Sequence, residues 1–161
     1  MYTVIIFSHG DFSKGILNSA ELILGNQQDV FAFSVQENCD LDSLKSEIET
    51  LLISCEKQGK DVVFLTDLFF GSPFNIVNSL MQTYHFEHVT GMNLPLLIEI
   101  LSQRNQKSIK ETLASSIPIS KDSIIDCIGS VSYTHLRAHE TVLDLVCRLL
   151  LEKKKTKITK Q

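Results

Sequence analysis

Short apolar runs that alternate with amphipathic segments are the feature that most restricts the fold of this chain. Residues 2–7, Val30–Val35 and Val62–Thr66 have the length and composition of β-strands, and residues 88–91 form a fourth, shorter run. A run that is apolar on both faces is typical of a parallel strand covered by helices on both sides. The alternation therefore predicts an α/β domain of repeated β-α-β units with right-handed crossovers.

The segments between these runs have helical spacing and helix-capping signals. We predict helices over residues 14–24, from Asp40 or Asp42 to Gln58, from Ser72 as N-cap with Pro73 at the first helical position, and over Leu94–Gln103. Residues 108–115 predict a weaker helix. Residues 117–127 are ambiguous, and both a fifth edge strand and a short helix remain open there.

Polar residues stand where the first and third strands end. The first run continues into Ser8-His9-Gly10, and the third ends at Asp67, followed by Gly71-Ser72-Pro73-Phe74-Asn75. Ligands of open α/β sheets bind at the carboxyl ends of the strands. In an open, mainly parallel, flavodoxin-like sheet of order 2-1-3-4, strands one and three are neighbours about 4.8 Å apart. A 3-2-1-4 order would separate them, so a contact between His9 and Asp67 favours the flavodoxin-like order.

Composition excludes several classes of function. The net charge of −4 argues against a nucleic-acid surface and against an anionic membrane as partner. No apolar run approaches the ~20 residues that a membrane span needs. Cys39, Cys55 and Cys127 are isolated and no C-x-x-C motif is present, so the sequence supports neither a zinc ribbon nor a thioredoxin site. We expect no cofactor, and we expect a reducing, cytoplasmic location.

The last part of the chain resembles translated sequencing-adapter DNA rather than protein. The resemblance runs from about Ser130 through the Tyr133-Thr134-His135 region to the lysine-rich end at residues 153–155. A native amphipathic helix is the alternative, since Val142, Leu145, Val146, Leu149 and Leu150 have helical spacing. We therefore expect one domain over residues 1–129 and a non-native tail over residues 130–161, and we give its His135 and His139 no metal role.

Four blocks of residues resemble the IIA component of the mannose-type bacterial sugar phosphotransferase system. They are Ser8-His9-Gly10, Ala20-Glu21 with Leu24-Gly25, Asp67 with Gly71-Ser72-Pro73-Phe74-Asn75, and Gly91-Met92-Asn93-Leu94-Pro95-Leu96-Leu97-Ile98-Glu99. The resemblance implies that His9 accepts phosphate from the phosphocarrier HPr. It implies that His9 then passes the phosphate to a IIB component, which acts with membrane IIC and IID components in sugar uptake. It also implies a homodimer whose subunits exchange a C-terminal strand.

The residues suit phosphoryl transfer on chemical grounds. A neutral imidazole is a nucleophile if one ring nitrogen holds the proton and the other points at phosphorus. Asp67 is the candidate that orients the His9 ring in this way. Gly10 and Gly71 permit close backbone approach to a phosphate, and Ser72 with the following amides opens a helix that favours an anion. Ser8 is a further candidate donor. We expect no role for His85 and His88, which we interpret as surface residues.

Other functions are kept as alternatives. A phosphoaspartate receiver shares the predicted fold, but it needs an acidic pair after the first strand, where this chain has Ser8-His9-Gly10. A nucleotide kinase is disfavoured because no G-x-x-x-x-G-K-[ST] loop is present. A regulatory IIA-like domain, phosphorylated without feeding sugar transport, is the main alternative to a phosphotransferase. The identity of the sugar is not encoded in these residues.

Overall fold

The computed structural model describes residues 1–127. The predicted tail over residues 130–161 and the last two residues of the predicted domain lie outside the described residues. The described part consists of β1 (Thr3–His9), α1 (Phe12–Leu24), β2 (Val30–Val35), α2 (Leu41–Lys57), β3 (Val62–Thr66), α3 (Ser72–Leu80), β4 (Glu87–Thr90), α4 (Leu94–Gln103) and α5 (Ile109–Lys121). Strands and helices alternate until the final helix pair.

The four strands of this part form one parallel sheet of order β2-β1-β3-β4, which confirms the predicted flavodoxin-like α/β fold. β1 lies between β2 and β3, with Phe7 opposite Phe33 on one side and Thr66 on the other. Six of the seven residues of β1 and all five of β3 are buried. Their apolar composition follows from this central position, because both faces of these strands are covered.

Helices cover both faces of the sheet. On one face α1, α4 and α5 pack on the side chains of Val4, Ile6, Val63 and Leu65. On the other face α2 and α3 pack on Ile5, Phe7, Val62 and Phe64. His9 follows Ile5 and Phe7 at alternate positions of β1, so it lies on the side of the sheet that carries α2 and α3.

Side-chain caps define where α2 and α4 begin. Asp40 caps α2 by accepting hydrogen bonds from Asp42 N and Ser43 N, so of the two predicted caps Asp40 is the correct one. Asn93 Oδ1 accepts from Leu96 N at the start of α4. The start of α3 differs from the prediction. Its N-cap is Gly71, which has an extended backbone and no capping side chain, and Ser72 is already the first helical residue.

The last helix is longer than the sequence predicts. Ser108 caps α5 through a capping box with Glu111, and the helix continues through Pro118 to Lys121. The N-cap residue of α4 stabilises the final turn of α5, because Asn93 Nδ2 donates a hydrogen bond to the Ser120 carbonyl at 3.0 Å. The ambiguous residues 117–127 therefore begin as helix, and no fifth strand forms within residues 1–127.

Within the described residues no helix combines the length and the apolar character that crossing a membrane requires.

Candidate functional site

His9 is the last residue of β1 and stands at the carboxyl edge of the sheet. Its side chain is 43% exposed, in contrast to the buried residues that precede it. Gly10 turns the chain away from the strand with a φ of +54°, and its N–H donates to the Val35 carbonyl at 2.9 Å. The Gly10 N–H is therefore already used within the fold. This position contributes the left-handed turn that places α1 after His9.

Asp67, immediately after β3, holds His9 through two contacts to one oxygen. Its Oδ2 accepts a hydrogen bond from His9 N at 2.8 Å and lies 2.9 Å from His9 Nδ1. The second oxygen, Oδ1, accepts from Leu68 N at 2.8 Å. An ionised carboxylate only accepts hydrogen bonds, so this network assigns the ring proton to Nδ1 and leaves the lone pair on Nε2. The structure thus brings together the two residues that the sequence paired across 58 positions.

Gly71 lies against the His9 ring. A Cβ atom at this position would stand 2.7 Å from His9 Cε1 and 3.4 Å from Nε2. No side chain fits at this distance without moving the ring or the loop. Gly71 therefore permits close approach, but to the imidazole itself, and it brings the start of α3 beside Nε2.

The first turn of α3, which follows Gly71, has two backbone donors without an acceptor among the described residues. The Gly71 N–H donates to the Leu68 carbonyl and Pro73 has none, whereas within the described residues nothing accepts from the N–H groups of Ser72 and Phe74. Unpaired amides and the helix dipole favour an anion at such a terminus. The predicted site residue Ser72 is thus placed at the first helical position, beside Gly71.

Ser8 does not belong to the exposed site. Its side chain is fully buried, donates to the His9 carbonyl at 3.2 Å and accepts from Ser13 N at 2.7 Å. The expectation that Ser8 donates to a phosphate is wrong, because its hydroxyl is committed to the start of α1. Within residues 1–127 no group of three or more acidic, histidine or cysteine side chains is arranged to hold a metal ion.

An exposed apolar loop borders the site, and sequence reasoning missed it. Leu68, Phe69 and Phe70 follow Asp67 and are all exposed, Phe70 to 70%. Phe70 has a φ of +61°, which is a strained conformation for an aromatic residue. Asn75 Nδ2 donates a hydrogen bond to the Phe70 carbonyl at 3.1 Å. The Phe69 and Phe74 rings lie 4.8 Å apart edge to face. The available signal was three consecutive apolar residues in a position where loops are usually polar.

His88 is also misplaced by the sequence prediction. It lies within β4, and its Nε2 is 2.9 Å from Thr66 Oγ1. Its ring is 5.2 Å from the Phe74 ring at an angle of 35°. Burial lowers the pKa of His88 from 6.5 to about 4. His88 is therefore a partly buried neutral histidine two strands from His9, while His85 is exposed as predicted.

Relatives of known sequence match most of this chain. A family model described as "PTS system fructose IIA component" (EIIA-man) matches residues 3–117. The fructose-specific EIIA component of Bacillus subtilis (strain 168) is 29% identical over 128 residues, 79% of this chain and 87% of that protein. The mannose-specific EIIAB component of Escherichia coli (strain K12) is 28% identical over 75% of this chain, but the match spans only 38% of that protein.

Solved structures agree with the sequence relatives. The crystal structure of the phosphotransferase component EIIA from Streptococcus agalactiae superposes with a TM-score of 0.71 at 29% identity, over 78% of this chain and 97% of that one. The mannose/sorbose-specific IIA subunit from Enterococcus faecalis gives a TM-score of 0.68 at 25% identity, over 78% and 93%. Because the family model covers more than half of the chain and these folds coincide, the chain belongs to the EIIA-man family, the mannose-type IIA components of the sugar phosphotransferase system (PTS).

Proposed function

We propose that this chain is a phosphocarrier that accepts a phosphoryl group on His9 Nε2 and passes it to another protein. The observation that carries the proposal is the contact of 2.9 Å between His9 Nδ1 and Asp67 Oδ2, which fixes the tautomer with its lone pair on Nε2. Phosphoryl transfer depends on positioning and charge stabilisation more than on further covalent chemistry by the protein. A histidine held by one carboxylate supplies the positioning.

The transfer step is an in-line displacement at phosphorus. The Nε2 lone pair forms the N–P bond while the bond from phosphorus to the donor breaks, and the donor leaves with that electron pair. The Nδ1 proton stays in the hydrogen bond to Asp67, which stabilises the positive charge that develops on the ring. The free amides of Ser72 and Phe74 receive the phosphoryl oxygens. Attack by the acceptor on phosphorus then returns the electron pair to Nε2.

We propose that both donor and acceptor are proteins, HPr and a IIB component that acts with membrane IIC and IID. His9 is on an exposed edge whose neighbouring loop presents Leu68, Phe69 and Phe70 to solvent. Clustered exposed apolar side chains mark surfaces that bind other proteins. HPr and its partners act in the cytoplasm, so the proposal places this chain there.

We further propose a homodimer. β4 is one of the two edge strands of the described sheet, and Ile124 and Ile125, just after α5, are exposed. An open strand edge and exposed isoleucines both suit pairing with a second copy. Light scattering at micromolar concentration should give twice the mass of the chain, and a monomer would contradict this proposal.

We also propose that residues 130–161 are not part of the phosphocarrier. Truncation after Gly129 should leave the melting temperature and the rate of phosphoryl transfer unchanged. A clear fall in either quantity would contradict the adapter interpretation. Coding DNA that departs from adapter sequence across residues 131–141 would contradict it as well.

Labelling from phosphoenolpyruvate tests the phosphocarrier directly. The chain is incubated with HPr, with the enzyme that phosphorylates HPr from phosphoenolpyruvate, and with labelled phosphoenolpyruvate. IIB is then added. We expect one acid-labile, alkali-stable label on His9, which is lost to IIB. The His9→Ala variant should fold and stay unlabelled, because its ring is exposed and contributes little to the core.

Each other outcome has a definite meaning. A label that persists in His9→Ala, or that survives acid, would contradict the assignment of His9. A label on His9 that does not discharge to IIB would instead indicate the regulatory IIA-like role.

A further inference from the structure

We propose that His88 is a positioning residue for phosphoryl transfer: its ring holds the first turn of α3 and the end of β3, which places Gly71 and the free α3 amides beside His9. This inference rests on the proposed function and deepens it. His88 does not touch the phosphoryl group. It acts through Phe74, whose ring lies against its own, and through Thr66, to which it is hydrogen-bonded.

The first contact fixes the start of α3 from the side opposite His9. Gly71 stands so close to the His9 ring that a Cβ would lie 2.7 Å from Cε1. Three residues later, the Phe74 ring lies 5.2 Å from the His88 ring. The first turn of α3 is therefore seated between two imidazoles, one following β1 and one on β4. A shift of Phe74 toward β4 would move Gly71 and the Ser72 amide away from Nε2.

The second contact reaches the residue that orients His9. His88 Nε2 lies 2.9 Å from Oγ1 of Thr66, which is fully buried and immediately precedes Asp67. The Thr66 carbonyl also accepts from Met92 N at 3.1 Å, just beyond β4. The end of β3 is thus tied to β4 by a side-chain bond and a backbone bond. The side-chain bond is the one that depends on the identity of residue 88.

The character of the His88 ring suits a fixed support. Burial is the cause of its lowered pKa, so the ring stays uncharged at neutral pH. A neutral imidazole offers one hydrogen bond to Thr66 and a flat apolar face to Phe74 at the same time. Neither an aliphatic nor an amide side chain offers both. The two contacts can therefore be removed separately by substitution.

Three variants separate the contacts. His88→Phe keeps a ring against Phe74 and removes the hydrogen bond, His88→Gln keeps a hydrogen-bonding group and removes the ring, and His88→Val removes both. His85→Phe is the matched control, because His85 is an exposed histidine outside the site. Urea unfolding of each variant ensures that rates are compared for fully folded protein.

The rate of His9 labelling is measured as a function of phosphorylated HPr concentration. We expect His88→Val to lower the maximal rate constant about tenfold with little change in the half-saturating concentration, since misplacement by ~1 Å costs up to ~10²-fold. His88→Phe and His88→Gln should fall between His88→Val and the wild type, and His85→Phe should equal the wild type. A purely structural role would lower stability and leave the rate of the folded protein unchanged. Wild-type rates in folded His88→Val would overturn the inference.

Two further measurements keep the test independent of the partner protein. Phosphoramidate, a small phosphoryl donor, should label the His88→Val variant more slowly than the wild type by the same factor. Equal reactivity of the two proteins toward phosphoramidate would overturn the inference about His88, whether or not HPr is the donor. Failure of HPr to act as donor would contradict only the proposed function. Thr66→Val should match His88→Phe, and the double variant should add nothing to either. Additive effects would show that Thr66 and His88 act separately and would overturn the proposed link.

Discussion

The two edges of the sheet differ in shape and in chemistry. The amino edge holds cavities of about 410 Å³ and 260 Å³ that share Asp61, Val62 and His85. The carboxyl edge holds His9, fixed by Asp67 and bordered by an exposed apolar loop. A large cavity is the usual first choice for a binding site, yet here the oriented histidine that we propose as nucleophile is on the exposed edge.

Charges at the two edges are also held differently. At the amino edge Lys60 Nζ pairs with Asp29 at 2.8 Å, and Lys110 Nζ lies 3.9 Å from Glu87 Oε1 between exposed side chains. At the carboxyl edge the Asp67 carboxylate is 16% exposed and bonded to two backbone N–H groups as well as a ring nitrogen. The two backbone bonds fix the direction of the Asp67 carboxylate, and within the described residues no such bonds hold the Glu87 carboxylate in its contact with Lys110. Orientation therefore distinguishes the edge with the proposed site from the edge with the cavities.

The largest effect on this contrast should come from Asp67→Asn. The amide donates where the His9 ring needs an acceptor, which favours the tautomer with the proton on Nε2. We expect the rate of His9 labelling to fall by about 10²–10³-fold, less than the ~10⁴-fold loss from the same swap in a serine-protease triad. Single-turnover labelling measures this loss. A wild-type rate would show that Asp67 does not orient His9.

Gly71→Ala should have the next largest effect. Its new Cβ would stand 2.7 Å from His9 Cε1, so the ring or the α3 start must move, and we expect labelling to slow by about 10²-fold. Gly15→Ala is the matched control, since a Cβ there meets nothing within 4 Å. That control should label normally and gain about 0.5–1 kcal/mol of unfolding free energy, because Gly15 is inside α1. Equal rates in both variants would refute the close contact at Gly71.

A smaller effect should appear in the dependence of stability on pH. The pKa of His88 is lowered to about 4 in the folded state, so the unfolded chain binds more protons at this residue between about pH 4 and pH 6.5. Its contribution to stability is present above pH 6.5 and is lost as the pH falls toward 4. In urea unfolding, His88→Phe should therefore lose less stability between pH 7 and pH 5 than the wild type. Equal losses would show that His88 titrates normally.

The smallest effect should come from the amino edge. Lys110→Ala removes a long contact between exposed groups, and such surface pairs contribute little. We expect an unchanged labelling rate and an unfolding free energy within about 0.5 kcal/mol of the wild type. Slower labelling would show that the amino edge contributes to phosphoryl transfer, and it would contradict the proposed difference between the two edges.

Sequence reasoning succeeded where a pattern extends over several residues. The apolar runs of β1 and β3 predicted the sheet, and its order followed from the chemical need for His9 and Asp67 to meet. It failed where one side chain from a distant element decides the outcome. The sequence predicts only a weak helix over residues 108–115, but α5 continues to Lys121, where Asn93 holds the last turn. His88 has no partner motif in the sequence, which suggests a surface residue, and the four residues of β4 give too few alternations to reveal a buried face.

The distance between His9 and Asp67 along the chain has a consequence during synthesis. β1 is made first, but its partner β3 and the carboxylate that orients His9 come 58 residues later. At ~5–20 residues per second, a nascent chain carries His9 without Asp67 for roughly 3 to 12 s. Until β3 pairs with β1, the imidazole has no fixed tautomer and no helix end beside it. On the proposed function, the phosphate-accepting centre is thus a product of completed folding, and an unfinished chain on the ribosome is not yet able to accept phosphate.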